Sequence, residues 1–242
     1  MTDTELLYMR DIEGNYIREF DARVMERGPG WVVLDRTAFY PLGGGQPSDT
    51  GRLIFESGEV RVRAVEKRAG VRHMLDGDLP PEVGFLRGIL DWAPRHAHMR
   101  MHTAQHILSG VVFDDFKART VGNQIHADHS RIDFAPASFT DNDLKNIEMK
   151  VNSILAGGAP VTVREEDRSA LEKRLCAERA NLDLLPRSVR RLRIIEIGGF
   201  DTCPCAGTHV RNTAEIGRMN IYKRERKGKD TERITYTLDA QG

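Results

Sequence analysis

A pair of histidines inside a helical pattern constrains this chain more than any other stretch. His102 and His106 lie four positions apart in the segment 99–111, where apolar residues recur at the spacing of a helix with one buried side. Because residues i and i+4 share one helix face about 5–6 Å apart, both imidazoles can reach one metal ion. His98 is also four positions from His102 and is the alternative partner, although Pro94 places it near the helix start.

A second pair of metal-ligand types, Cys205 and His209, lies far later in the chain, where Pro204 and Gly207 favour a tight turn. Three imidazole nitrogens and one thiolate sulfur suit zinc. A His-x-x-x-His pair alone more often marks hydrogen-bonded histidines in an ordinary helix, so the Cys-x-x-x-His turn is what favours a metal site. The fold must then bring both pairs together.

Composition limits the classes of protein that fit. The 242 residues, 40% hydrophobic and 30% charged, suit one large or two modest globular domains. The sequence has neither an apolar run long enough to cross a bilayer nor a signal-peptide pattern at its start, so we expect a cytoplasmic location and no membrane partner. Three cysteines cannot all pair, which favours a reducing compartment.

Basic residues cluster although the net charge is zero, which excludes a globally basic nucleic-acid binder. One cluster precedes a predicted strand and another occupies the C-terminal stretch. Such runs are usually solvated surface, and the functional alternative is a phosphate-binding face. Under that alternative the residues expected to contact RNA are Arg191, Arg193, Lys223 and Arg224.

Strand-like runs and turn residues predict an α+β fold with two domains. Residues 1–92 read as a small β-barrel, with strands near 16–27, 31–36, 52–55, 60–65 and 85–92. Residues 93–242 alternate between helices and strands and predict a two-layer α/β sandwich on an antiparallel sheet. Its expected elements are the histidine helix to Phe116, strand pieces within 120–134, a helix over 141–156, strands at 161–164 and 193–197, a helix from Asp167 to about Arg179, and a hairpin over 218–238.

A glycine-rich segment, residues 40–51, interrupts the predicted barrel. Its three successive glycines and two prolines exclude regular structure, and the simplest interpretation is a loop between strands. The functional alternative is a loop whose backbone amides at Gly43, Gly44 and Gly45 approach a phosphate or ribose, helped by Gln46. The segment lacks the Gly-Lys-Ser/Thr ending of a nucleotide-binding P-loop, so no nucleotide cofactor is expected.

Four motifs in this order resemble the AlaX family of alanyl-tRNA editing proteins: Gly43-Gly-Gly-Gln-Pro-Ser-Asp-Thr-Gly51, His102-Thr-Ala-Gln-His106, Cys205-Ala-Gly-Thr-His-Val210 and the following Arg-Asn-Thr-Ala-Glu-Ile-Gly217. The glycine-rich motif is similar to that of the longer AlaX type and of the editing region of alanyl-tRNA synthetase. The resemblance implies a freestanding editor, with a barrel followed by a zinc-containing editing domain.

The resemblance also implies chemistry and ligands. Zinc would be held at His102, His106, Cys205 and His209. The reaction would be deacylation of tRNA(Ala) mischarged with serine, and in longer forms with glycine, while alanyl-tRNA(Ala) is spared. Some members have a small hydroxyl residue where this chain has Asn123, so the residue that senses the serine hydroxyl stays open among Asn123, Gln124, Thr103 and Thr208. Zinc would either position or acidify a water, or bind the amino group of the aminoacyl moiety and orient its carbonyl. No residue is assigned to proton transfer.

Two other classes of function compete with the editor. A metalloprotease is disfavoured because Gln105 stands where the His-x-x-Glu-His pattern has a glutamate, and an amide cannot act as a general base. A noncatalytic RNA-binding module with structural zinc is favoured by a full set of four protein ligands, since catalytic zinc sites usually keep one position open. A deacylation assay separates this module from the enzyme.

Overall fold

The computed structural model describes residues 4–174, 182 and 187–240. The predicted α+β class is confirmed: a closed antiparallel barrel is followed by helices and antiparallel sheets. The chain divides into two compact units, residues 1–98 and 99–242. The first helix, α1 (Trp92–Phe116), begins at the predicted domain boundary, and the division between the units lies inside it.

Unit 1 is built on a six-stranded barrel in which neighbouring strands run antiparallel, in the order β2-β3-β7-β6-β5-β8. The strands are β2 (Glu19–Gly28), β3 (Trp31–Leu34), β5 (Gly51–Phe55), β6 (Gly58–Lys67), β7 (Val71–Leu75) and β8 (Phe85–Leu90), and the short strands β1 (Glu5–Leu6) and β4 (Arg36–Thr37) pair in parallel beside it. The barrel core is apolar and includes Leu34, Leu53 and Val62. Strand β7 was not predicted, because one of its inward positions carries the polar residue His73.

The glycine-rich segment forms a tight loop that is fastened at its ends. Gly44 and Gly45 have positive φ values of 58° and 80°, which side-chain-bearing residues rarely adopt. The hydroxyl of Tyr40 donates to the carbonyl of Gly43 at 2.8 Å, and the amide of Asp49 donates to the carbonyl of Tyr40 at 2.9 Å. The loop interpretation is therefore confirmed as structure, and its ligand contacts stay a prediction.

Unit 2 places α1, α2 (Asp141–Ala156) and α3 (Arg168–Arg174) with two antiparallel sheets. The four-stranded sheet has the order β14-β15-β10-β9, and the three-stranded sheet has the order β11-β12-β13. The strands are β9 (Arg119–Ile125), β10 (Ser130–Ala135), β11 (Val161–Asp167), β12 (Arg191–Ile197), β13 (Asp201–Pro204), β14 (Met219–Arg226) and β15 (Glu232–Leu238). The strands pair antiparallel as expected, but they form two separate sheets instead of the single predicted sheet. The part of the predicted third helix beyond Arg174 lies outside the described residues.

Helix α2 begins and ends as predicted, because its caps are encoded locally. The hydroxyl of Thr140 accepts from the amide of Asp143, and the Asp143 carboxylate accepts from the amide of Thr140, which is a reciprocal capping box. Helix α1 begins at Trp92, close to Pro94, as predicted. Proline is tolerated in the first helical turn, so Pro94 does not delay the start.

The four-stranded sheet holds α1 through polar as well as apolar contacts. The buried hydroxyl of Tyr236 on β15 donates to the carbonyl of Met101 at 2.8 Å, and the amide nitrogen of Asn123 on β9 donates to Gln105 Oε1 at 2.9 Å. Met101, Ile107 and Leu108 are buried. These contacts fix the rotation of α1 about its axis, and therefore the direction of His102 and His106. Among the described helices, none carries an apolar stretch long enough to span a membrane.

Candidate metal centre

Helix α1 and the segment after β13 place four metal-ligand side chains together in unit 2. The ligand atoms of His102, His106, Cys205 and His209 all lie within 4.8 Å of one another. Cys205 Sγ is 3.5 Å from His102 Nε2 and 3.4 Å from His209 Nε2. His102 and His209 are buried, whereas His106 and Cys205 are partly exposed. The predicted pairs therefore meet.

Thr103 orients His209 from the opposite side of the ring. The Thr103 hydroxyl donates its single proton to the carbonyl of Met99 at 2.9 Å, so it can only accept from His209 Nδ1, which lies 3.2 Å away. His209 thus carries its proton on Nδ1 and turns the lone pair of Nε2 toward Cys205. Burial lowers the pKa of His209 to about 3, with the nearby His102 adding to the effect, so the ring is neutral as a metal ligand must be.

His106 is oriented by two residues of β13. Its Nδ1 lies 2.8 Å from Cys203 Sγ and 3.6 Å from Asp201 Oδ2. Burial raises the pKa of Cys203 to about 12, so this sulfur stays a neutral thiol and the Asp201 carboxylate is the anionic partner of the ring. Histidine ligands commonly present their second nitrogen to a carboxylate in this way. Burial works against a charge on the ring, but Cys203 and Asp201 raise the pKa of His106 well above 6.5, so a metal ion that binds Nε2 must displace a proton from it.

Cys205 has the character of a thiolate. Burial alone would raise the pKa of its thiol, but the neighbouring His102 ring lowers it well below the usual 9.0. The amide of Gly207 donates to Cys205 Sγ at 3.3 Å, which stabilises negative charge on the sulfur. Thiolate, rather than thiol, is the form that binds metals.

The cluster fits a metal ion by an independent observation as well. His106 Nε2 is buried and has no hydrogen-bond partner among the described residues, which is costly for a polar atom unless something else satisfies it. A metal ion bound by three imidazoles and a thiolate would satisfy that atom. His98, the alternative ligand in the sequence, does not belong to the four-residue cluster.

Two stretches match known families. Residues 192–235 match the family described as the threonyl and alanyl tRNA synthetase second additional domain, and residues 4–80 match the class II (A) tRNA synthetases. The chain is 38% identical over 243 residues to the alanyl-tRNA editing protein AlaX-M of Methanosarcina barkeri, with 97% of this chain and 99% of the relative covered. The chain belongs to the AlaX family.

Longer relatives contain the same region. The AlaX-L protein of Pyrococcus horikoshii is 35% identical, with 96% of this chain and 57% of the relative covered. The alanine–tRNA ligase of Thermococcus kodakarensis is also 35% identical, with 98% of this chain but only 26% of the ligase covered. This AlaX chain therefore corresponds to the whole of AlaX-M and to one part of the ligase.

The residues predicted to contact the substrate lie in different surroundings. Asn123 contacts Gln105, the neighbour of the ligand His106, whereas Gln124 accepts from Arg131 Nε at 2.9 Å. Successive strand residues point to opposite faces, so these two side chains cannot line one pocket. Thr103 and Thr208 are fully buried, and Thr103 is committed to His209. Gly43, Gly44, Gly45 and Gln46 belong to unit 1, where Gln46 is fully buried.

The four residues predicted to contact tRNA also lie in different surroundings. Arg191 and Lys223 are exposed and form surface ion pairs with Glu165 and Glu225 at 2.9 and 3.3 Å. Arg224 donates to the carbonyl of Phe139. Arg193 is buried and donates to the carbonyls of Cys205 and Gly207, so its predicted role in phosphate binding is wrong: the guanidinium lies beneath the metal-ligand segment instead of at the surface.

Sequence reasoning missed Asp201 and Gln105 as site residues. Asp201 belongs to no ligand motif, and Gln105 lies inside the His102–His106 motif but is not itself a ligand type. Their relation to His106 and Asn123 arises from pairing across the fold. Cys203 lacks the spacing to His209 that marks Cys205 as a ligand, and its sulfur lies against Nδ1 of His106, the ring nitrogen that faces away from the cluster. The signal in the sequence was its position two residues before Cys205, since residues two apart in an extended segment point to the same side.

Proposed function

We propose that this chain hydrolyses the ester bond of mischarged tRNA(Ala), chiefly Ser-tRNA(Ala), with Gly-tRNA(Ala) as a second substrate, and spares Ala-tRNA(Ala). The observation that carries the proposal is the convergence of three histidines and a thiolate in a chain that matches freestanding alanyl-tRNA editing proteins along 97% of its length. The proposed partner is tRNA(Ala), and the proposed ion is zinc.

Substrate discrimination gives such an activity a physical rationale. A synthetase pocket shaped for alanine excludes the smaller glycine poorly, and it rejects one added hydroxyl only weakly, so a second hydrolytic site is useful. A site that hydrogen-bonds the serine hydroxyl would leave its own polar groups unpaired with alanine. Asn123 is the favoured sensor, since its amide lies beside Gln105 and hence near His106 along α1.

The residues of the cluster have separable tasks. His102, His106, Cys205 and His209 would hold the ion, which when bound supplies Lewis acidity and a water of lowered pKa. Thr103 keeps His209 in the tautomer that presents Nε2, and Asp201 with Cys203 does the same for His106. An aminoacyl ester is an activated bond, so positioning and polarisation can suffice without a strong protein nucleophile.

A noncatalytic RNA-binding protein with a structural metal is the second candidate. Four protein ligands are the usual complement of a structural zinc site, whereas catalytic sites commonly use three. The partly exposed positions of His106 and Cys205 favour the enzyme, because solvent and substrate can approach that side. The two candidates differ in whether the purified protein deacylates tRNA.

The test measures hydrolysis of seryl-, glycyl- and alanyl-tRNA(Ala) by the purified protein before and after metal removal. His106→Ala should abolish hydrolysis of seryl-tRNA, and His129→Ala is the matched control, since His129 pairs with Asp128 at a strand turn outside the cluster. Binding of tRNA without hydrolysis of any substrate would favour the structural alternative. Equal cleavage of alanyl- and seryl-tRNA would rule out a discriminating editor.

A further inference from the structure

Arg193 is a charged side chain buried beneath the segment that supplies two of the four ligands. It lies on β12, the central strand of the three-stranded sheet, and only 7% of it is exposed. Arginine does not lose its proton in proteins, so this is a permanent positive charge removed from water. Such burial is costly unless the guanidinium makes compensating hydrogen bonds.

Two hydrogen bonds of the Arg193 side chain fasten the metal-ligand segment. Its Nη1 donates to the carbonyl of Cys205 at 2.7 Å and to the carbonyl of Gly207 at 2.9 Å. Its own carbonyl accepts from the amide of Cys205 at 3.1 Å. One residue therefore holds the Cys205 peptide groups from both sides.

Residues 205–209 depend on such contacts because they belong to no strand or helix. Strand β13 ends at Pro204, so beyond the amide of Cys205 the sheet ladder no longer satisfies the backbone groups of this segment. Gly207 is fixed twice, since its carbonyl accepts from Arg193 and its amide donates to Cys205 Sγ at 3.3 Å. The path from the guanidinium to the ligand sulfur thus passes through two short contacts.

We propose that Arg193 is a positioning residue that sets the direction of Cys205, and through the same segment that of His209, for metal binding. The inference rests on the metal site of the proposed function. Both hydrogen bonds come from one nitrogen, Nη1, whose position the planar guanidinium sets, whereas a lysine ammonium is a more strongly hydrated point charge on a flexible stem. Charge alone is therefore insufficient, and Arg193→Lys should restore binding only in part.

The experiment compares Arg193→Met and Arg193→Lys with Arg191→Met, a matched control two positions away on the same strand whose side chain is exposed and pairs with Glu165. Zinc affinity is measured by competition with a chromophoric chelator, and cobalt is used to record the thiolate-to-metal absorption band. Loss of an outer-shell partner typically weakens metal binding about 10- to 100-fold, which is the range expected for Arg193→Met. Arg191→Met should bind zinc as tightly as the parent does.

Amide hydrogen exchange of the metal-free proteins provides a readout that needs no ion. Exchange should accelerate within residues 205–210 in Arg193→Met, remain unchanged in β15, and match the parent throughout in Arg191→Met. Acceleration across the whole of unit 2 would indicate general destabilisation and overturn the positioning role. If Arg193→Met does not fold, the test uses Arg193→Lys. Zinc affinity and amide exchange equal to those of the parent in Arg193→Lys would also overturn the positioning role.

The outcomes separate this inference from the proposed function. A parent protein that takes up no metal overturns the metal site itself, together with the metal-binding part of the inference. A parent that binds zinc, combined with unchanged zinc affinity and cobalt spectrum in Arg193→Met, overturns the role of Arg193 alone. Weakened zinc binding with local exchange confined to residues 205–210 supports both.

Discussion

Substitution of Asp49 by alanine should destabilise unit 1 by about 3–5 kcal/mol, the usual cost of removing one partner from a buried ion pair. Arg95 Nε donates to Asp49 Oδ1 and Oδ2 at 3.0 and 2.9 Å, and the two side chains are 0% and 1% exposed. Arg95 also donates to the carbonyls of Asn15 and Ala38. These carbonyls would remain after the substitution, but the buried positive charge would lose its only carboxylate among the described contacts.

The backbone of the glycine-rich loop depends on the same carboxylate. The amide of Tyr40 donates to Asp49 Oδ2 at 2.6 Å, so Asp49→Ala also removes a fastening at the base of that loop. A domain is typically stable by only about 5–15 kcal/mol, so the expected loss is a large part of the total. Replacing Asp49 and Arg95 together by apolar residues should cost less than Asp49→Ala alone, because no charge is then left buried.

Asp21→Ala is the matched control within the same barrel. Asp21 accepts from Arg87 Nε at 3.1 Å, but both side chains are mostly exposed, and such surface pairs contribute about 0–1 kcal/mol. Both tryptophans, Trp31 and Trp92, belong to unit 1, so tryptophan fluorescence during urea unfolding reports this unit. A loss for Asp49→Ala that equals the loss for Asp21→Ala would refute the assigned role of the buried pair.

Three further predictions concern the site, and one concerns pH. Thr103→Val should weaken zinc binding about 10- to 100-fold, since it removes the hydroxyl that accepts the hydrogen bond from His209 Nδ1. Thr103→Ser keeps a hydroxyl and should restore the zinc affinity. Competition with a chelator measures the zinc affinity of both variants. Asn123→Ala should reduce discrimination between seryl- and alanyl-tRNA more than Gln124→Ala does, because Asn123 contacts Gln105 on α1 whereas Gln124 contacts Arg131. The measurement is the ratio of the two deacylation rates in each variant. Equal effects of the two substitutions would contradict Asn123 as the residue that senses the serine hydroxyl. Removing the charges of Arg191 and Lys223 should flatten the salt dependence of tRNA affinity in a binding titration, and an unchanged slope would move the RNA surface elsewhere. Burial lowers the pKa of His73 from 6.5 to about 4, so as pH falls the imidazole is protonated in the unfolded chain before it is protonated in the folded protein. The free energy of unfolding therefore decreases as pH falls between these two values, by about 2 kcal/mol at pH 5. His73→Gln should remove that part of the pH dependence, which urea unfolding measures.

Local sequence patterns were enough to predict the helices and strands whose stabilising interactions lie between residues close together in the chain. The capping box at Thr140 set the start of α2, and the apolar spacing around His102 and His106 put both on one face of a helix. Most barrel strands were recognisable because inward apolar residues alternate with polar ones. In each case the interactions that stabilise the element lie within a few positions along the chain.

Only the tertiary structure decided what surrounds those elements. Arg191 and Arg193 have the same chemical character and lie on the same strand, yet one is exposed and the other supports Cys205, because burial depends on which segment packs over each of them. Asp201 and Cys203 acquire their place at His106 through the pairing of β12 with β13, which follows from contacts far apart in sequence. The sequence by itself determined which side chains can bind a metal. Long-range packing determined which of these side chains meet, which tautomer each histidine adopts and which residues support them. The physical reason is that these outcomes depend on contacts between residues far apart in the chain, which no local pattern contains.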